Sequence, residues 1–513
     1  MQSPGGKAVK IFRCFPEKLL PGTILLLAAA LRIKALFGEL QYDEIWTIAN
    51  FTRLDTGRIL TDLTLPNNHP LNTLILKFLS LFSETTAILR MGVFLCGIIT
   101  VFLCGRIAAS ISDKKSSPAA AMLLAAVSPA LILYSVTARG YIFQVAGLLM
   151  MIYALIRHAK DEKSVSIMPM IAGGGIIACL AVPSGVMFIP LIFAGFWWIV
   201  PPERRFKRTI IIPAAVLIIF VLSYYLPLYS QLRAGQQWGI TLDTFAKWLK
   251  FSVKTLAAQM PPFTALLVLS GVIFNPAMRK VFLLTLFPVI FAVITKGGPE
   301  RVYLILTAIG IIIAADGFSA LLKRFPNRKT LLIIFLLAGS FANALLVPEC
   351  WTLPEYSKDL NRALINTEET VLPILPGSAG LPVTVNAPQL AEQLELRAAM
   401  PLSHILMLNT PSGNLNGANA QNSETVMPIP ASGSYSNTSD GFLYTLTPVE
   451  MPENRNSLLL AVIPGNPPPE FIAGKLRLNI WLNRKFQLYI CREKEIYPFY
   501  FNGAKYYRIE ETK

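Results

Sequence analysis

Long apolar runs, repeated through the first 350 residues, leave this chain few folds to choose from. Backbone polar groups in a lipid bilayer must be satisfied within the segment itself, so such runs become helices. Roughly eleven candidate spans can be counted: 19–37, 88–108, 118–135, 140–157, 165–182, 185–200, 209–228, 259–276, 280–295, 301–319 and 329–347. Several are shorter than the ~20 residues a straight crossing needs. The segments 165–182 and 185–200, joined at Pro183-Ser184, read as a tight helical hairpin. Only 15% of residues are charged and the mean hydropathy is +0.52. A soluble domain has about a quarter of its residues charged. The expected class is therefore a polytopic α-helical membrane protein.

The formal net charge is +16. Its distribution argues against nucleic-acid binding, because the basic residues fall in short clusters between apolar runs. Lys114-Lys115, Arg157 to Lys163, Arg204-Arg205-Lys207-Arg208, Arg279-Lys280 and Lys323 to Lys329 all fall on one side if the N-terminus is cytoplasmic. That is the pattern of cytoplasmic loops under the positive-inside rule. Residues 229–258 dissent: parity places them outside, yet they carry Arg233, Lys247, Lys250 and Lys254. The basic N-terminus followed by an apolar stretch is similar to a signal peptide. No small-residue cleavage site follows before Asp43, so a retained first span is expected.

Beyond residue 349 the character changes. Pro, Asn, Ser and Gly become common between 409 and 439, while 456–463 and 476–492 read as β-strands. The expected organisation is a membrane domain over 1–348 with a first external loop at 38–87. A small extracytoplasmic α/β or α+β domain follows over 349–513. Six cysteines are present, none in a CxxC pair, and there are three histidines, so a structural zinc site is not expected. Cys350 and Cys491 fall in the external region. They are either bonded to each other or two unpaired thiols.

The chemistry gathers at one face. Tyr42-Asp43-Glu44 follows the first span, Arg139 and Tyr141 lie in the turn 134–141, and Arg301 and Tyr303 begin a late span. Span parity alone puts them on the external side. An acid beside two arginines suits a reaction between a hydroxyl and a phosphate-linked group: the carboxylate takes a proton and the cations hold the phosphate. Each residue also has a plainer role. Asp43 and Glu44 can cap the helix that begins near Ile45, Arg139 can snorkel to headgroups, Arg301 can pair with Glu300, and His69 can be a turn residue. Leu71–Phe82 reads as an amphipathic helix lying on the membrane. Asp316 is the clearest intramembrane acid, near the cytoplasmic end of its span and far from Asp43.

In order and spacing these pieces resemble the GT-C superfamily of membrane glycosyltransferases. The likeness is to the lipopolysaccharide-core (Rgt-like) transferases, the aminoarabinose transferases and the protein O-mannosyltransferases. The matching pieces are Tyr42-Asp-Glu-Ile-Trp-Thr-Ile-Ala49, Asn68-His-Pro-Leu-Asn-Thr-Leu-Ile75, Leu89-Arg-Met-Gly92, Ser128-Pro-Ala-Leu-Ile-Leu-Tyr-Ser135 and Ala138-Arg-Gly-Tyr141. Pro299-Glu-Arg-Val-Tyr303 resembles a late Arg-Tyr element. Two departures stand out. Relatives commonly have two prolines after the histidine, where here Pro70-Leu71 is followed by Asn72-Thr73. Many carry Gln-Glu where this chain has Val136-Thr137.

The resemblance implies a GT-C fold in the cell (inner) membrane. It implies a polyprenyl-phosphate-linked sugar as donor and a glycan, lipid or protein as acceptor, with inverting transfer. Asp43 takes the place of the catalytic base or acceptor-positioning group, with Glu44 beside it. His69, Arg139, Tyr141, Arg301 and Tyr303 take substrate-binding places. Metal dependence varies across the superfamily. The rival classes are a transporter or flippase of lipid-linked sugar and a non-catalytic membrane assembly protein.

Overall fold

The computed structural model of the chain describes residues 19–64, 67–112, 114–160, 162, 164–235, 244–295 and 300–345, with seven short strands between 371 and 510. The principal helices are α1 (Leu20–Leu36), α2 (Tyr42–Phe51), α3 (Pro70–Ser80), α4 (Met91–Ile111), α5 (Ser117–Ala126), α6 (Pro129–Ser135), α7 (Tyr141–Ala159) and α8 (Ile167–Ala181). They continue with α9 (Gly185–Ile199), α10 (Arg208–Tyr225), α11 (Phe245–Gln259), α12 (Pro262–Phe274), α13 (Pro276–Thr295), α14 (Ile305–Arg324) and α15 (Lys329–Leu345). Two compact units are present: Met1–Phe37 with Asp55–Thr352, and Gly38–Leu54 with Leu353–Lys513.

The first unit is a helical bundle. Among the described residues α4, α7, α10 and α14 are each long and apolar enough to cross a membrane. The number rises to six if two bent pairs count as one span each. One pair is α5 with α6, bent by 59°; the other is α11 with α12, bent by 95°. The stretch 118–135, which reads as one span, is thus a broken one. Pro129 explains the break: it lacks an N–H and opens a new helix well at its first turn. Of these four, α14 is the most deeply buried and α10 the most exposed. The outward side chains of α10 include Ile218, Ile219 and Leu222. An apolar exterior of this kind suits hydrocarbon.

Helices α7 and α8 pack on glycines. A Cβ added at Gly147 would lie 2.5 Å from the Gly174 carbonyl oxygen, and one at Gly174 would lie 2.5 Å from that of Gly147. Small residues at a helix crossing allow such close approach. Two fully buried arginines cap helix ends instead of facing lipid. Arg90 Nη1 donates to the Ala35 and Leu36 carbonyls at 3.0 and 3.4 Å, closing the end of α1. Arg32 Nη1 donates to the Ala126 carbonyl at 3.0 Å, where α5 breaks. The terminal carbonyls of a helix have no intrahelical partner, and here cations supply one.

Asp316 lies eleven residues into α14, about 17 Å along the axis from its first residue. Its carboxylate is buried. Oδ1 accepts from Ser112 Oγ at 2.9 Å and Lys114 Nζ at 3.1 Å, and Oδ2 accepts from Asn275 Nδ2 at 2.9 Å. One side chain therefore joins the end of α4, the α4–α5 connection and the end of α12.

In the second unit α2 begins one residue after Gln41, with a reciprocal cap. Glu44 Oε2 accepts the Gln41 backbone N–H at 2.8 Å, and the Gln41 side chain meets the helix's third residue in return. Tyr42 stacks on Trp46 with centroids 6.2 Å apart. The strands are β1 (Val371–Pro376), β2 (Arg397–Ala399), β3 (Ser457–Val462), β4 (Leu476–Leu482), β5 (Phe486–Cys491), β6 (Glu495–Tyr497) and β7 (Arg508–Glu510). Five form a mixed sheet in the order β2-β1-β3-β5-β4. Strand β1 is parallel to β2 and β3, while β5 is antiparallel to β3 and β4. Strands β6 and β7 form a separate antiparallel pair. The apolar stretch 476–492 holds two antiparallel strands, β4 and β5. Cys350, and with it the Cys350–Cys491 pairing, lies outside the described residues.

Candidate active site

Tyr141 is the hub of a cationic, aromatic cluster in the first unit. It opens α7, immediately after the Arg139-Gly140 turn. The guanidinium of Arg139 lies 5.8 Å from its ring centroid and that of Arg301 lies 5.7 Å away. Arg301 Nε also donates to the Tyr141 hydroxyl at 2.9 Å. Two more rings meet Tyr141 edge-on, His69 at 5.0 Å and Tyr134 at 5.3 Å. Residues from three distant parts of the chain, His69, Arg139 with Tyr141, and Arg301, are thus brought together.

Three helices begin at this place. His69 is the N-cap of α3, Gly140 of α7 and Ser184 of α9. The geometry that joins them is direct. His69 Nδ1 lies 3.0 Å from the Ala181 carbonyl oxygen, at the end of α8. Gln144, in the first turn of α7, donates from Nε2 to Ser184 Oγ at 2.9 Å. Gly140 fits between these parts only because it has no side chain. A Cβ there would run into the Ala181 carbonyl oxygen and come within 2.9 Å of His69 Nδ1. Helix N-termini carry partial positive charge and unsatisfied N–H groups. Three of them beside two arginines make a strongly anion-attracting corner.

The connections around it are pinned. Asn72, in the stretch where the chain departs from the double-proline pattern, donates to the Ala138 carbonyl at 2.8 Å. Arg139 Nη2 donates to Asn67 Oδ1 at 3.3 Å. On the other side, Glu300 Oε1 pairs with Lys254 Nζ at 2.6 Å, and Gln259 Nε2 donates to the Glu300 carbonyl at 2.8 Å. Helix α11 thereby steadies the 3₁₀ turn Glu300–Tyr303 that carries Arg301. The lysines that dissent from the positive-inside pattern sit on this amphipathic helix. Tyr303 is placed differently from Arg301: its buried ring packs edge-on with Phe188 at 6.4 Å and Phe251 at 5.9 Å.

His69 is almost completely buried at 1% exposure. Burial, then the charge of Arg139 and to a lesser degree that of Arg301, hold its pKa well below the ordinary 6.5; the bond to Ala181 only partly opposes this. The ring is neutral. A carbonyl can only accept, so Nδ1 carries the proton and Nε2 holds a lone pair. His69 Nε2 and Gln144 Oε1 are both buried and both lack a hydrogen-bond partner.

Asp43 and Glu44 belong to the second unit. Both stand in the first turn of α2, where acids favour the helix dipole. Glu44 is engaged in the reciprocal cap, so the capping role foreseen for this pair falls to it. Asp43 stands beside it in the same turn. Among the described residues no group of three His, Cys, Asp or Glu side chains gathers as metal ligands do. Gln144 was missed in the sequence. Its signal was there: a lone amide one turn inside an apolar span, where polar groups are rare and tend to be functional.

Comparison with known proteins gives one family match and several structural likenesses. Residues 69–227 match the profile of the dolichyl-phosphate-mannose-protein mannosyltransferase family. That segment includes His69, Arg139, Tyr141 and Gln144, and the chain is similar to GT-C membrane glycosyltransferases. No curated protein sequence matches the chain. Among solved structures it is similar to the oligosaccharyltransferase of Archaeoglobus fulgidus in complex with zinc and sulfate, at 14% identity and a TM-score of 0.47. That match covers 68% of this chain and 56% of the other. It is also similar to ArnT from Cupriavidus metallidurans bound to undecaprenyl phosphate, at 10% identity and a TM-score of 0.45, over 83% of this chain and 97% of that one. The chain thus spans just over half the length of the archaeal enzyme in the first of these matches.

Proposed function

We propose that this protein is a membrane glycosyltransferase that moves a sugar from a polyprenyl-phosphate donor to an acceptor on the external face of the membrane, with inversion. In this reading the N-terminus is cytoplasmic, roughly eleven segments cross the cell (inner) membrane, and an extracytoplasmic α/β or α+β domain follows. The observation that carries it is the pair of guanidiniums, Arg139 and Arg301, flanking Tyr141 where three helices begin. A planar guanidinium matches phosphate geometry, and helix N-termini add N–H donors.

The acceptor oxygen bonds to the anomeric carbon as the bond from that carbon to the phosphate oxygen breaks. The electron pair leaves with the lipid phosphate, whose growing charge Arg139 and Arg301 stabilise. The acceptor proton goes to the Asp43 carboxylate, a role that rests on the first-loop motif. His69 and Tyr141 line the donor site, with Tyr303 behind them.

The test is a transfer assay with a panel of polyprenyl-phosphate sugars. Asp43→Asn keeps the shape of the side chain and removes its basic site, so turnover should fall by about two orders of magnitude or more while the protein still inserts. Near-normal turnover would remove Asp43 from the mechanism and leave Glu44 as the remaining carboxylate of the motif. Movement of intact lipid-linked sugar across vesicles, with no glycosidic bond broken, would identify a flippase instead.

A further inference from the structure

The phosphate reading accounts for Arg139, Arg301 and the helix N-termini. It leaves two buried atoms unexplained. His69 Nε2 and Gln144 Oε1 have no hydrogen-bond partner, and each is an acceptor. The His69 proton is on Nδ1, directed to Ala181. The Gln144 amide N–H is directed to Ser184. A buried acceptor left unmade costs about 1–3 kcal/mol, and two in one corner double that.

The two side chains belong to one place. Both are anchored on the same short connection, Ala181 to Ser184, between α8 and α9. Gly140 lies one helical turn before Gln144 and packs directly against the His69 ring. Both residues flank Tyr141, the ring on which the arginines converge: His69 by an edge-on contact at 5.0 Å, Gln144 three residues on along α7. Lone pairs repel phosphate oxygens. They call for O–H donors.

We propose that His69 and Gln144 form a hydroxyl-reading subsite, taking hydrogen bonds from two hydroxyl groups of the donor's sugar while the arginines hold its phosphate. This rests on the glycosyltransferase reading above. It divides the corner in two: cations and helix ends for the anion, neutral acceptors for the polyol. Specificity built this way discriminates sharply, because a sugar lacking the hydroxyl leaves the acceptor buried and unpaired.

The experiment measures affinity of the purified full chain for bare undecaprenyl phosphate and for undecaprenyl-phosphate-linked glucose, mannose and arabinose. The wild type should bind at least one sugar-bearing lipid more tightly than the bare one. Gln144→Met keeps volume and removes the acceptor. It should weaken the preferred glycosylated lipid by about 10-fold and leave bare undecaprenyl phosphate within about twofold. A loss shared equally by both lipids, or by neither, overturns the subsite and assigns the two atoms to a trapped water. A wild type that binds neither lipid overturns the donor reading itself, a separate result. Deoxy-sugar versions of the preferred lipid give a second measurement that needs no mutation. Two positions should each lose about 10-fold in wild-type affinity, and uniform affinity across the series overturns the proposal.

Discussion

Two ends of the bundle, one around Asp316 and the other around Tyr141, treat buried polar groups in opposite ways. Around Asp316 both carboxylate oxygens are taken, by Ser112, Lys114 and Asn275. Around Tyr141 a cationic, aromatic cluster is assembled and two acceptors, His69 Nε2 and Gln144 Oε1, are left without partners. A buried polar network that is fully satisfied fixes structure. One that is left partly open carries an energetic cost that needs an explanation, and in the reading proposed above sugar hydroxyls supply it. The difference separates a group that holds the bundle together from groups that wait for a substrate, although both are polar side chains in an apolar bundle.

The comparison makes opposite demands on mutations at the two ends. Removing the Asp316 carboxylate leaves Ser112, Asn275 and Lys114 without their shared acceptor. Asp316→Ala should therefore lower stability by about 3–5 kcal/mol, read by thermal unfolding in detergent, with transfer per folded molecule unchanged. A variant as stable as wild type would show that the network holds nothing. At the other end the effect is on activity. Arg139→Ala and Arg301→Ala should each cost about 10- to 100-fold in transfer, and the lysine variants less, since they keep the charge and lose the planar fork. A lysine variant no better than alanine would show that geometry alone matters there.

Sequence patterns carried much of the polar site but little of its packing. His69, Arg139, Tyr141 and Arg301 were legible because a motif or a charge beside an apolar run is conspicuous, and span parity placed them on one face. The break between α5 and α6 was less so. Pro129 marks it, but hydropathy averages over the bend. The role of Arg90 was hidden for a different reason: a capping contact to Ala35 and Leu36 depends on tertiary approach, which no local pattern encodes. Gln144 was passed over because one amide barely alters the hydropathy of a 19-residue helix. Lys254 looked like a topological anomaly, and its reason became visible only when Glu300 came within 2.6 Å.

Packing at the open end offers a third test. Gly140 has no room for a methyl group, with the Ala181 carbonyl and the His69 ring in its way. Gly140→Ala must push the start of α7 away from α8 and α9. The expected cost is about 1–3 kcal/mol in stability, with a loss of transfer from the displaced Arg139 and Tyr141. A matched change at the satisfied end, Ser116→Ala, removes one hydrogen bond to Ser319 and should lose about 1 kcal/mol with no change in transfer. Equal effects on transfer would erase the distinction between the ends.

The smallest expected effect is a pH dependence that belongs to the open end. His69 heads α3, outside the spanning helices, and its folded-state pKa lies well below 6.5 because burial and the charges of Arg139 and Arg301 disfavour its cation. The unfolded chain restores a pKa near 6.5. Below that value the unfolded state takes up a proton that the folded state refuses, so stability falls as pH falls; above it the two states match and the term is flat. Between pH 6.5 and 5.5 the loss should be about 1 kcal/mol, the limit for one proton bound only on unfolding. The check is the difference between wild type and His69→Asn in unfolding free energy at those two pH values. The variant has no titrating ring, so its curve should lack this one-proton slope. An identical slope in both proteins would mean that His69 takes up its proton in the fold as readily as in the unfolded chain, against the burial and the arginine charges described here.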